Sequence, residues 1–387
     1  MRNDPGDPPH IYLNNAATTW PKPPEVLDEV ARCLEAPFFE HGRSTAGSAI
    51  NYPSETREAL ARFFHTENPD HFIFTQNATD SLNLLIHGFV KKQKAPFHAI
   101  TTDLEHNSIL RPLNTLAGEG RLSLTTVASE DGYVTLREIK KAVRPETRLI
   151  VMTHGSNVLG TLQDIRTVAD YCAGNDIFLI ADGAQTAGQV PVNLSAFSGG
   201  AFVFTGHKAL FGIPGIGGFF LEDPEAIAAV RQGGTGTDSR SLAQPEEMPQ
   251  RFEAGTHNYP GIASLLAGIR FIEREGQDKI TTRIRDLAAL FIREIAHDPN
   301  IILYTPAPDL PVVSFNIRNL DNDEAGYILT KAYNIICRTG LHCAPLVHDR
   351  IDGGRGCIRV SFSYFNTPEE CRAAGEAVRG VAEGANR

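Results

Sequence analysis

Between residues 71 and 221 the chain alternates short apolar runs with stretches whose apolar residues return at helical spacing. The run HFIFTQ is followed by Leu82, Leu85, Ile86 and Phe89, an i, i+3, i+4, i+7 set that draws one apolar stripe along a helix. FHAITT, TRLIVMTH, DIFLIADG, AFVFTG and GIGGFFLE predict further strands, several apolar at successive positions, as a strand covered on both faces requires. Buried strands joined by helical segments predict an α/β fold with a mainly parallel sheet between helices.

The pattern changes after about residue 260. Ile284, Leu287, Phe291 and Ile295 mark a strongly amphipathic helix, the alternating VVSFNI follows, and DEAGYILTKAY, IICR and CIRVSFSYF predict a helix and two strands. The last helix has a marked start, with Thr367 as N-cap, Pro368 at its first position and Glu370 three residues after the cap. The expected division is a large unit, 18–260, and a smaller α+β unit made of 1–17 and 261–387. Residues 233–250, GGTGTDSRSLAQPEEMPQ, predict a long loop.

Composition narrows the function classes. A length of 387 residues suits two units better than one core. A net charge of −10 argues against nucleic acid or an anionic membrane as partner, because either asks for a basic face. The N-terminal segment lacks the apolar core of a signal peptide and no uncharged run is long enough to span a bilayer, so the expected location is the cytoplasm. Cysteines 33, 172, 337, 343, 357 and 371 are scattered without a CxxC pair, which predicts reduced thiols and no metal site. Cys337, on the predicted IICR strand, is expected in the core.

In an open α/β sheet, ligands collect past the carboxyl ends of the strands. There the sequence places Asn77, Ala78 and Thr79, then His106, Asn157, Asp182 with Gln185, and Thr205 with His207 and Lys208. A helix start with free amides suits a phosphate, a buried lysine suits covalent attachment to an aldehyde, and an aspartate suits a ring nitrogen that must stay protonated. Amides suit a phenolic oxygen, and an imidazole can cover a ring face. Together these match the needs of pyridoxal 5′-phosphate.

At this point the chain resembles a known family. YLNNAATT, NATDSLNLL, LEHNS, SNVLGT, ADGAQ, TGHKALFGIPGIG and RFEAGTHN look like the successive blocks of class V aminotransferases of PLP fold type I. RTGLHCAP, residues 338–345, resembles the active-site loop of group II cysteine desulfurases and selenocysteine lyases, and CIRVSFSYFNT resembles their substrate-binding strand. The resemblance implies a seven-stranded, mainly parallel sheet in the large unit. It implies Lys208 as the Schiff-base lysine, Asp182 on the pyridine nitrogen, His106 stacked on the ring and Gln185 near the phenolic oxygen. Asn77, Ala78, Thr79, Thr205 and His207 fall near the phosphate, and Thr256 matches a residue that reaches the phosphate across a homodimer interface. Asn15, Asn157, Arg338 and Arg359 match substrate contacts, with Arg359 on the carboxylate.

The implied reaction converts L-cysteine to L-alanine and leaves a persulfide on Cys343 for transfer to an acceptor protein. Attack on sulfur needs a thiolate, whose ordinary pKa of about 8.5 positive neighbours lower. Arg338 and His342 are expected to supply that field, and His106 to act as acid or base at the sulfur. Two alternatives stay open: a selenocysteine lyase, and another class V reaction (transamination, β-elimination or epimerisation) with Cys343 a bystander. The chain departs from the common pattern at NAT, where many relatives have glycine and threonine, and at Leu341, where group II loops have histidine. His41 and Arg43 match a region that faces the partner subunit's site.

Overall fold

The computed structural model describes residues 10–36, 50–237 and 240–386, so His41 and Arg43 lie outside the described residues. Chain order begins with β1 (Ile11–Tyr12), α1 (Pro24–Glu35), α2 (Tyr52–Phe63), β2 (Phe72–Thr75), α3 (Ala78–Lys92), β3 (Phe97–Thr102) and α4 (Asn107–Gly118). It continues with β4 (Leu122–Val127), α5 (Leu136–Ala142), β5 (Thr147–Thr153), α6 (Ile165–Ala173), β6 (Phe178–Asp182), β7 (Gly200–Thr205) and β8 (Gly217–Leu221). The rest comprises α7 (Tyr259–Glu275), α8 (Gln277–Ile295), β9 (Ile301–Leu303), β10 (Val312–Ile317), α9 (Asn322–Tyr333) and β11 (Ile335–Ile336). Last come α10 (Pro345–Ile351), β12 (Ile358–Ser361) and α11 (Pro368–Ala385).

Seven strands form the large sheet in the order β2-β8-β7-β6-β5-β3-β4. Strands β3 to β7 pair in parallel, and β8 alone runs against its neighbours β7 and β2. Period-two alternation sorts β7 between two cores. Phe202 and Phe204 join Leu60, Phe64 and Phe72 on one face, while Ala201 and Val203 join Leu82, Phe89 and Phe219 on the other. The strand β4 was not read from the sequence; its LSLTTV is half exposed at the sheet edge and lacks an apolar run.

A second body carries an antiparallel sheet, β12-β10-β9, with the parallel pair β1-β11 beside it. Its core gathers Leu13, Leu287, Phe291, Phe315, Ile358 and Val378. The α7 helix packs on α1 and α2, and its Leu265, Leu266 and Phe271 belong to the core under the large sheet. Gly276, at φ 89°, separates α7 from α8, which packs on α11 instead. The expected capping box at α11 is present: Thr367 Oγ1 accepts from the Glu370 amide at 3.1 Å and Glu370 Oε2 accepts from the Thr367 amide at 3.1 Å. Residues 233–250 carry neither helix nor strand over their described positions.

Candidate active site

Because β2, β3, β5, β6 and β7 point the same way, the turns that follow them share one rim. All the predicted site residues except Asn15, Thr256 and Cys343 line a single cavity of about 480 Å³ there. At the end of β2, Asn77 serves as the N-cap of α3, its Oδ1 accepting from the Asp80 amide at 3.0 Å. The first-turn amides of Ala78 and Thr79 have no intrahelical acceptor, and they lie at the positive end of the helix dipole. Gly217 lets this turn approach β8: a Cβ there would stand 2.8 Å from Asn77 Cα.

Electrostatics within the cavity are set by burial. Lys208 is half-buried and burial pushes its amine down to about 8; Asp182 opposes that shift, while Arg359 and Arg338 add to it. Burial pushes the Asp182 carboxyl up, against the pull of the Ala184 amide at 2.9 Å and of Lys208. Burial, then the charges of Lys208, Arg338, Arg359 and Arg111, hold His106 down to about 4, so the ring is neutral near pH 7. The Ser108 amide donates to its Nδ1 at 3.1 Å, so the proton of the neutral ring sits on Nε2. The buried Thr205 Oγ1 and His207 Nδ1 have no hydrogen-bond partner among the described residues, which is costly unless a ligand supplies one.

Two arginines from the β12 region complete the lining. Arg338 and Arg359 exchange backbone hydrogen bonds of 3.1 and 2.7 Å, so their side chains emerge as neighbours. Arg359 is 1% exposed, yet among the described residues no carboxylate pairs with it and its Nε has no partner. Its Nη1 donates to Asn157 O at 3.0 Å and its Nη2 to Asn14 Oδ1 at 3.2 Å. Burial lowers this guanidinium to about 10, which leaves it charged at neutral pH. A buried cation without a counter-ion is a receptor for an anion such as an amino acid carboxylate.

Cys343 stands beside this wall: Arg338 Nη2 donates to its Sγ at 3.3 Å. The turn that carries it is strained, with His342 and Cys343 at φ 48° and 58° and Gly340 at 90°. Three ties hold it. The Asn107 amide donates to Cys343 O at 2.7 Å, Asn157 Nδ2 donates to His342 O at 2.8 Å, and the Cys357 amide donates to Gly340 O at 3.1 Å. Gly356 makes room for the last tie, since a Cβ there would lie 2.9 Å from Gly340 Cα.

Several expectations change. His342 does not supply positive field to Cys343: its ring turns into the interior, 2% exposed, and burial holds it down to about 2. Asn15 does not reach the cavity, because its Nδ2 donates to Ser361 O at 2.9 Å and Ala16 and Ala17 form the wall. Thr256 lies in a different cavity with Gly234, Thr235 and His257. Asn157 lines the cavity, but its amide is bound to the Cys343 turn. Sequence reasoning missed Ser108, Lys22 and Glu105. Ser108 lies inside the LEHNS block, two residues from His106. Lys22 Nζ donates to His207 O at 2.8 Å and burial lowers it to about 7. Burial lifts the Glu105 carboxyl to about 8, and Thr102 Oγ1 donates to it at 2.6 Å.

The Aminotransferase class-V family matches residues 11–373. The chain belongs to that family. This class V aminotransferase family member is 29% identical over 96% of its length to a probable cysteine desulfurase of Methanothermobacter thermautotrophicus, covering 95% of that protein. It is 30% identical over 94% of its length to the cysteine desulfurase of Salmonella agona, covering 91% of it. Among solved structures, the apo cysteine desulfurase of Thermococcus onnurineus NA1 superposes with a TM-score of 0.87 at 27% identity, over 97% of this chain and 95% of that one. The fold is therefore PLP fold type I, and the donor set fits pyridoxal 5′-phosphate. The Ala78 and Thr79 amides with the unpartnered Thr205 Oγ1 and His207 Nδ1 suit its phosphate, Asp182 its ring nitrogen and Lys208 its aldehyde.

Proposed function

We propose that this chain is a cysteine desulfurase, turning L-cysteine and the Cys343 thiol into L-alanine and a Cys343 persulfide. The observation that carries the reading is Cys343 Sγ at 3.3 Å from Arg338, a residue that walls the cavity holding Lys208 and Arg359. The names of relatives covering nearly the whole chain support it.

Pyridoxal 5′-phosphate, when bound, supplies an electron sink that lets the Cα–H bond of an amino acid ionise. The chain's own residues do the rest. Arg359, whose Nε has no partner among the described residues, binds the substrate carboxylate. Lys208 Nζ, with a pKa of about 8, takes the Cα proton and can return one. Cys343 Sγ forms a bond to the substrate sulfur while the substrate Cβ–S bond breaks, and that electron pair stays with the three-carbon fragment until protons complete alanine. His106, neutral with its proton on Nε2, is the acid at the departing fragment.

The persulfide then passes to a sulfur-acceptor protein. The reading includes a homodimer in which Thr256, which lies apart from the Lys208 cavity of its own chain, serves the partner's site. Six free thiols support a reducing, cytoplasmic setting. No helix among the described residues is long and apolar enough to cross a membrane. The two-unit division, 18–260 against 1–17 and 261–387, belongs to this reading with α7 added to the large unit, because its apolar face packs there. The Cys343→Ser variant is expected to bind the cofactor and L-cysteine and to lose alanine formation; turnover at the wild-type rate would overturn the proposal.

A further inference from the structure

Behind the turn that presents Cys343, outside the cavity of Lys208, three more side chains converge. His342, His348 and Cys357 are 2%, 0% and 0% exposed, and one potential ligand atom from each lies within 4.8 Å of the others. Cys357 Sγ stands 3.5 Å from His342 Nε2, and the two imidazole rings are 5.5 Å apart. They come from three segments: the strained turn, α10 and the entry to β12.

A carboxylate orients the group. Asp352 Oδ2 accepts from His348 Nδ1 at 2.6 Å with both side chains wholly buried, and its Oδ1 accepts from the Arg355 and Gly356 amides at 2.9 and 3.2 Å. With Nδ1–H committed to Asp352, the His348 ring presents Nε2, and this buried nitrogen has no hydrogen-bond partner among the described residues. His342 Nε2 donates to Cys357 O at 3.0 Å, which leaves its buried Nδ1 with the lone pair and without a hydrogen-bond partner among the described residues. A histidine oriented by a carboxylate, with its other nitrogen unpartnered and a second imidazole and a thiol nearby, is the arrangement that zinc ligands adopt.

We propose that His342, His348 and Cys357 bind a divalent metal ion of the zinc type, with Asp352 orienting His348 and a fourth position left for water. Two nitrogens and one sulfur suit a borderline-soft cation better than magnesium or calcium. Binding releases the Cys357 S–H proton to solvent, and the thiolate with the Asp352 carboxylate balances the double positive charge. Zn–N and Zn–S bonds of about 2.1 and 2.3 Å set ligand atoms about 3.5 Å apart, so the group contracts by roughly 1 Å on binding. The ion would clamp α10 and β12 to the turn carrying Cys343, fixing that thiol without taking part in its chemistry. This inference stands independently of the desulfurase reading.

Cobalt(II) titration of the full-length, chelator-stripped protein tests it. Wild type is expected to bind one equivalent per chain and to develop thiolate-to-cobalt charge-transfer absorption; zinc should displace the cobalt. Cys357→Ser should lose the charge-transfer band, Asp352→Asn should weaken affinity by about 10–100-fold, and Cys343→Ala should keep both the equivalent and the band. Circular dichroism reports whether each variant is folded; should Cys357→Ser fail to fold, His348→Gln, with the wild-type stoichiometry, decides. Absence of saturable binding by wild type, or an unchanged cobalt spectrum in folded Cys357→Ser or unchanged affinity in folded His348→Gln, overturns the proposal.

Discussion

At the scale of single residues, function rests on charges held in an interior that disfavours them. An ordinary lysine is almost wholly protonated at neutral pH, whereas Lys208, at about 8, offers a useful fraction of neutral amine. The rate at which cofactor-free protein captures pyridoxal 5′-phosphate should therefore rise with pH and level off just above 8, measured by the absorbance of the bound form. A rate still climbing toward 10.5, the ordinary lysine value, would contradict the burial argument. His106 makes a second prediction. As general acid it should contribute about 10²–10⁴-fold to turnover, so His106→Asn should lower kcat by that order; an unchanged kcat removes it from that role. Lys208, Asp182 and Arg359 were legible in the sequence because each follows or occupies an apolar strand where an ion is out of place. His342 was misread because adjacency to Cys343 says nothing about direction: at φ 48° the backbone turns the ring inward.

At the scale of elements, β-strand ends place the residues proposed to hold the cofactor, and hydrogen bonds between distant segments place Cys343. Asn157 links the rim after β5 to the strained turn through His342 O. Asn157→Ala should loosen that turn, reducing sulfur transfer while leaving cofactor capture by Lys208 intact; equal loss of both would mean that Asn157 acts on the cofactor instead. Thr367→Ala removes the cap of α11 and should cost about 1 kcal/mol, within a range of about 0.5–2, in a denaturant titration. The long apolar strands and the capping box were readable because they are local patterns. The β4 edge was not, since half its side chains face water, and neither was the anchoring of Cys343, whose partners at 107 and 157 are remote in sequence.

At the scale of the whole molecule, burial of imidazoles makes stability depend on pH. His106, His154 and His207 are each held down to about 4 and His342 to about 2, by burial first. In the unfolded chain they titrate near 6.5, so below about pH 6.5 the unfolded state binds more protons and stability falls as pH drops toward 4. Glu105, lifted to about 8, and Asp182, also pushed up by burial, act in the opposite sense, but two carboxyls are outnumbered by the four imidazoles. The urea midpoint should be lower near pH 5 than near pH 7, with net proton uptake on unfolding; an equal or higher midpoint would contradict this. The same architecture, a cavity lined by Lys208 from the sheet rim and by Arg338 and Arg359, sets Cys343 beside its wall, in contact with Arg338. The most direct test is peptide mass mapping after incubation with L-cysteine in the absence of reductant. The account predicts one added sulfur on the peptide containing Cys343 and none on the other five cysteines; alanine formed with that sulfur elsewhere, or nowhere on the chain, would contradict it.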